Sequence, residues 1–121
     1  MIKDLNVIKD SGFIRWVNKG QSYNFHLSSI DQAMVDESRQ LIFILSGCLS
    51  SPNEIHVLNG EGEVQFSSRS PAGSNFYYLT KTASNEVLVV CSFEEKYDNW
   101  YDWHYSFNVE GRELHRLAPS Y

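Results

Sequence analysis

The sequence is short of positive charge, of cysteine, of long apolar runs and of every short catalytic signature, and each shortage removes a class of function. Ten Lys and Arg stand against fifteen Asp and Glu, a formal charge of −5 at pH 7. Binding a phosphate backbone needs clustered cations, so nucleic acid is not an expected partner. The two cysteines, Cys48 and Cys91, lie 43 positions apart (91 − 48). They lack the paired spacing of a zinc site and are too few for a disulfide framework, so two reduced thiols are expected, with Cys91 in the core. The apolar run Leu41 to Leu45 is far too short to span a bilayer. Charges at Lys3, Asp4, Lys9 and Asp10 interrupt the opening MIKDLNVIKD and leave no apolar stretch of signal-peptide length. A cytoplasmic protein with no membrane partner is expected.

Catalytic signatures are missing as well. There is no Gly-x-Ser-x-Gly, no Walker loop, no His-Glu-x-x-His and no Gly-x-Gly-x-x-Gly ahead of a helix. Gly60-Glu61-Gly62 reads as a hairpin turn, because no helix start follows it. Asp98, Asp102, His104 and His115 are the residue types of a metal site or an acid/base pair, but they stand without a second close ligand motif. His26 and His56 carry no motif, and Cys91 lies within VLVVCSF, where an apolar setting blunts a thiol. The expectation is a protein that is not an enzyme and uses no metal and no cofactor.

What the sequence does have is aromatic and β-branched residues. At 121 residues, 42% hydrophobic and 14% aromatic, it fits one domain with a core of its own, built on pleated surfaces rather than helices. It also repeats itself. SRQLIFILS (Ser38 to Ser46) superposes on SNEVLVVCS (Ser84 to Ser92) at a shift of 46 (84 − 38), and IDQAMVD lies opposite FYYLTKT at the same shift. The turns Asn59-x-x-Gly62 and Asn108-x-x-Gly111 superpose at a shift of 49 (108 − 59), so the second copy carries three more residues (49 − 46). LIFIL and VLVV are continuous apolar runs of strand length, as expected for strands covered on both faces. GFIRWVNKGQSYNFHL has two alternating arms around Asn18-Lys19-Gly20, a hairpin that we take as the remnant of a third copy. Ser29 and Gln32 form a capping-box pattern that would permit a helix over 29–38, but the repeat opposes it, since the counterpart FYYLTKT is rich in strand formers.

These repeats, over roughly Ile30 to Leu117, resemble blades of a β-propeller, in which an apolar strand precedes one that ends in Asn-x-x-Gly. About two and a half blades cannot close a ring, which needs at least four. The predicted fold is therefore all-β, an antiparallel meander of blade-like repeats packed as a sandwich or an open partial propeller. It is divided into an N-terminal hairpin at 10–28, repeat one at 30–68 and repeat two at 74–117.

The extra residues of the second copy fall in EEKYDNWYDWHYSFN, Glu94 to Asn108. Strand alternation from Tyr101 onward puts Tyr101, Trp103, Tyr105 and Phe107 on one face, predicted to be buried. Trp100, Asp102, His104, Ser106 and Asn108 take the other, wet face. Glu94, Glu95, Lys96, Tyr97 and Asp98 read as a loop ahead of it. From Glu94 to Asp102 four acids and one lysine give a charge of −3. Further acids at Asp31, Asp36, Glu37, Glu54, Glu61 and Glu63 belong to the first copy. Trp and Tyr give rigid contact area, and carboxylates steer a basic partner, so Glu94, Glu95, Asp98, Trp100, Asp102 and His104 are the candidate partner-binding residues.

In its single small domain, its acidity and the EEKYDNWYDWH surface, the chain resembles the immunity proteins of bacterial contact-dependent inhibition and related polymorphic toxin systems. That resemblance implies a cognate basic protein toxin, of nuclease type, as partner. Glu94, Glu95, Asp98 and Asp102 would then stand in for phosphates, and Trp100 would be the anchor. The second expectation is a β-repeat binding or assembly module that pairs through sheet edges, which leaves room for a homo-oligomer.

Overall fold

The computed structural model describes residues 1–47 and 52–120; Cys48 lies outside them. Eleven strands and one short 3-10 turn at Lys9–Ser11 account for the regular structure described. All strand pairs are antiparallel, in three sheets, each a meander of consecutive strands. The first sheet is β1 (Ile2–Ile8), β2 (Phe13–Asn18) and β3 (Gln21–His26). The middle sheet is β4 (Ile30–Asp36), β5 (Leu41–Ser46), β6 (Glu54–Asn59) and β7 (Val64–Arg69). The last is β8 (Ser74–Lys81), β9 (Val87–Tyr97), β10 (Trp100–Asn108) and β11 (Glu113–Pro119). The fold is all-β, as its composition predicts, and Ile30–Asp36 is a strand rather than the alternative helix. No helix among the described residues is long and apolar enough to cross a membrane.

The two repeats become the middle and last sheets, strand for strand. The N-terminal hairpin is β2 and β3, and β1 joins it at one edge. β1 was hidden from sequence reasoning by its charges, because an edge strand tolerates Lys3 and Asp4 and the strand bulges between Lys3 and Asn6.

The middle sheet is packed on both faces, which is why LIFIL has no polar alternate: every residue of β5 is buried. Toward the first sheet it presents Ile42, Ile44 and Leu58, which meet Ile2, Ile14 and Trp16. Toward the last sheet it presents Leu41, Phe43, Leu45, Ile55 and Val57, which meet Phe76, Val89, Cys91, Trp103, Tyr105 and Phe107. Fully burying a side chain of this size is worth about 1.5–3 kcal/mol, so the two interfaces supply most of the gross stabilisation. The outward faces of the end sheets are mixed, and on the last one Val90 and Leu88 are buried directly opposite His104 and Ser106. Arg15 pairs across to Asn6 and Asn24 on the first sheet, and His104, Ser106 and His115 lie on the last.

Polar bonds fix how the sheets sit on each other, and the sheets approach most closely along their first strands, β1, β4 and β8. Asp36, fully buried at the end of β4, accepts from its own turn (Arg39 N, 2.8 Å; Arg39 Nε, 3.0 Å; Ser38 Oγ, 3.0 Å) and from Val87 N of the last sheet (2.9 Å). Arg39 completes the lock by donating to Phe107 O. Gln32 reaches the bulge of β8, accepting from Leu79 N at 2.7 Å and donating to Tyr77 O at 3.3 Å. On the other side Trp16 Nε1 donates to Gly60 O at 2.7 Å. The Asn-x-x-Gly turns hold as turns, each Asn side chain accepting from backbone N–H groups. In the first it is Gly62 that takes positive φ (82°), but in the second it is Arg112 (50°) rather than Gly111.

Candidate functional site

The candidate site is the far end of the β9–β10 hairpin. Over Val87–Phe93 strand β9 is covered by its neighbours, but it continues to Tyr97, and every residue from Glu94 to Tyr101 is exposed. The chain reverses at Asp98 and Asn99, whose φ values of 47° and 72° are both positive, the signature of the two-residue turn that suits the twist of a hairpin. Asp and Asn tolerate this conformation better than other side chains. Glu94–Tyr97, which sequence reasoning places in a loop, is thus strand.

The register in this arm changes the expected faces. Trp100 pairs with Tyr97, yet Asp102 pairs with Ser92, so the residues 93–96 of β9 oppose Tyr101 alone. Alternation resumes only at Asp102. Trp103, Tyr105 and Phe107 are buried as expected, but Tyr101 is 51% exposed and does not share their face. The bulge breaks the period-2 rule at that one residue.

A clamp holds the arm to the sheet. The indole Nε1 of Trp103 donates to Tyr97 O (2.9 Å) and to Trp100 O (3.2 Å), tying down both sides of the turn. The Arg116 guanidinium, from β11, lies 4.1 Å from the ring centre of Tyr97 and 4.3 Å from that of Trp103. Its Nη1 is 2.7 Å from Asp98 Oδ2, and this hydrogen bond pushes the Arg116 pKa up further. Phe93 meets Tyr97 edge-on, with ring centres 5.3 Å apart.

The six predicted binding residues therefore divide. Glu94, Glu95, Asp98 and Trp100 lie together on the arm; Asp102 and His104 are half-buried at its root, opposite Ser92 and Val90. Glu94 and Glu95 make no ion pair among the described residues, whereas Asp98 is held by Arg116. Trp100 is 40% exposed. Tyr97, Tyr101 and Arg116 belong to the site and were not singled out. The first two were assigned to the loop and the core, and nothing in the sequence ties Arg116 to a turn 17 residues earlier (116 − 99).

Several of the residues considered for chemistry are engaged elsewhere. His115 pairs with Glu113 at 3.0 Å. His56 sits between Ser46 Oγ (3.1 Å) and Ser67 Oγ (2.9 Å), with its pKa lowered by burial; Ser46 is itself only 1% exposed and so is no nucleophile for an incoming substrate. Burial pushes the Cys91 thiol up to about 12. No group of three or more potential metal ligands occurs among the described residues. Compared with known proteins, the chain matches no family model, no curated protein and no solved structure.

Proposed function

We propose that this chain is a binding protein that neutralises a basic protein, a toxin of nuclease type, by laying the β9–β10 arm across its active site. The observation that carries the reading is the clamped arm itself: eight consecutive exposed residues, rich in acids and rings, fixed at the tip by Trp103 and Arg116. A hairpin already ordered before contact loses little entropy on binding, which is where affinity is otherwise lost. Glu94 and Glu95, with Asp102 at the root, would replace the phosphates of a nucleic acid. Asp98 keeps the arm in shape through Arg116, and Trp100 supplies contact area. Steering by such exposed acids acts on the association rate and fades as salt shortens the Debye length. The protein would act in the cytoplasm without cofactor or metal. The sheet-edge reading has less to support it, because register shifts interrupt five of the six edge strands among the described residues, β1, β4, β7, β8 and β11.

The test begins with the immobilised chain and a lysate of its host. A basic protein retained at low salt is identified and assayed for cleavage of plasmid DNA and of RNA, with and without the free chain. The expected result is stoichiometric inhibition, with Glu94→Lys/Glu95→Lys binding more than tenfold more weakly, chiefly through a slower association rate. A retained protein whose activity is untouched, or binding that ignores both the double variant and added salt, would refute the proposal.

A further inference from the structure

Arg116 shows, within the chain, which cation the arm holds well. Its flat guanidinium stacks on two rings at 4.1 and 4.3 Å while pairing with Asp98 at 2.7 Å. The lysine of the same arm does less: Lys96 Nζ stands 5.7 Å from the ring centre of Tyr101, and no carboxylate pairs with it among the described residues. The contrast follows from chemistry. A guanidinium is planar and weakly hydrated, so it can stack on a ring and donate to a carboxylate at once, whereas an ammonium is a compact, strongly hydrated point charge.

Outside the seat taken by Arg116, the arm offers the same two ingredients again. Tyr101 is 51% exposed, and Glu94 and Glu95 are exposed on the stretch of β9 that lies opposite it. We propose that the arm selects arginine over lysine. The Tyr101 ring, with Glu94 and Glu95, takes a guanidinium group from an extended arginine-bearing segment of the basic partner, and a lysine-bearing segment of equal charge binds less well. Tyr101 exchanges its distant contact with Lys96 for a stacked guanidinium, and the charge of −3 over 94–102 draws the segment in. This selectivity rests on the arm being the docking surface proposed above.

The probes are nona-arginine and nona-lysine, titrated into the full chain at one ionic strength, with affinity from calorimetry and location from backbone amide shifts. Both peptides should shift residues 94–101, nona-arginine binding about threefold to fivefold more tightly, as expected for one additional ring-stacked cation. Tyr101→Leu keeps apolar bulk without a ring face and, at a half-exposed position, leaves the fold intact; it should bring the ratio close to one. Equal affinities in the wild type, or an unchanged ratio in Tyr101→Leu, overturn arginine selectivity and leave the acidic arm standing. No shift at 94–101 with either peptide overturns both.

Discussion

Replacing Asp36 by Ala tests whether a single carboxylate holds two sheets together. Asp36 is fully buried and accepts from Arg39 N, Arg39 Nε, Arg39 Nη2, Ser38 Oγ and Val87 N. The substitution removes the close carboxylate of the Arg39 guanidinium, only 19% exposed, which keeps Phe107 O and a longer contact to Glu86 (3.5 Å), and it leaves the Val87 N–H without its acceptor. Removing one partner of a buried ion pair costs about 3–5 kcal/mol, because the other charge stays behind desolvated. For 121 residues the unfolding entropy is about 0.25 kcal/mol/K, so the melting temperature should fall by about 12–20 °C. Urea unfolding followed by tryptophan fluorescence gives the free energy directly. The same carboxylate has a pH signature. Burial pushes its pKa up, but the hydrogen bonds from Arg39 and Val87 and the charge of Arg39 outweigh it, leaving the value below the ordinary 3.8. Because the folded-state pKa is depressed, the stabilisation is fully present above the unfolded value. It is lost as pH drops below about 3.8 through the folded value. Asp36→Asn should flatten that part of the acid limb. A loss under about 1 kcal/mol in Asp36→Ala, the size expected of an ordinary turn cap, would refute the two-sheet lock.

Three further outcomes follow from the packing. Trp103→Ala should cost about 3–5 kcal/mol in urea unfolding, whereas Tyr101→Ala, outside the core, should stay within about 0.5 kcal/mol. Gly60→Ala would drive its Cβ into the side chain of Asn18, which is buried and cannot swing away; a loss of about 1–3 kcal/mol in thermal melts is expected from parting the first two sheets. In a Cys48→Ser background, Cys91 should resist a thiol reagent at pH 8, where about one part in ten thousand is thiolate, and react only at the rate of unfolding.

Much of the architecture was legible because the sequence states it twice. Two Ser-bounded apolar runs and two Asn-x-x-Gly turns gave the strands of the middle and last sheets, and the unbroken LIFIL already implied a strand covered on both faces. The faces of Trp103, Tyr105 and Phe107 followed from alternation. What escaped depended on register or on distant contacts. A bulge that sets residues 93–96 against Tyr101 leaves no mark in the hydropathy pattern, so Tyr101 was assigned to the core and Glu94–Tyr97 to a loop. The bond from Val87 to Asp36 spans 51 positions and that from Arg39 to Phe107 spans 68. At the candidate site the acids and Trp100 were visible as composition, but the clamp that orders them was not, because Arg116 is an isolated cation in β11.

Each sheet is built from neighbouring stretches of chain, and this bears on how the molecule reaches its native state. Every hydrogen-bonded strand pair joins consecutive strands. For an all-β protein that is an unusually local wiring, and closing short loops forfeits little entropy. Hairpins can zip first and separately, leaving two docking events, one against each side of the middle sheet, as the slow collective steps. A chain wired in this way can also gain or lose a whole sheet by duplication or deletion without rethreading the rest.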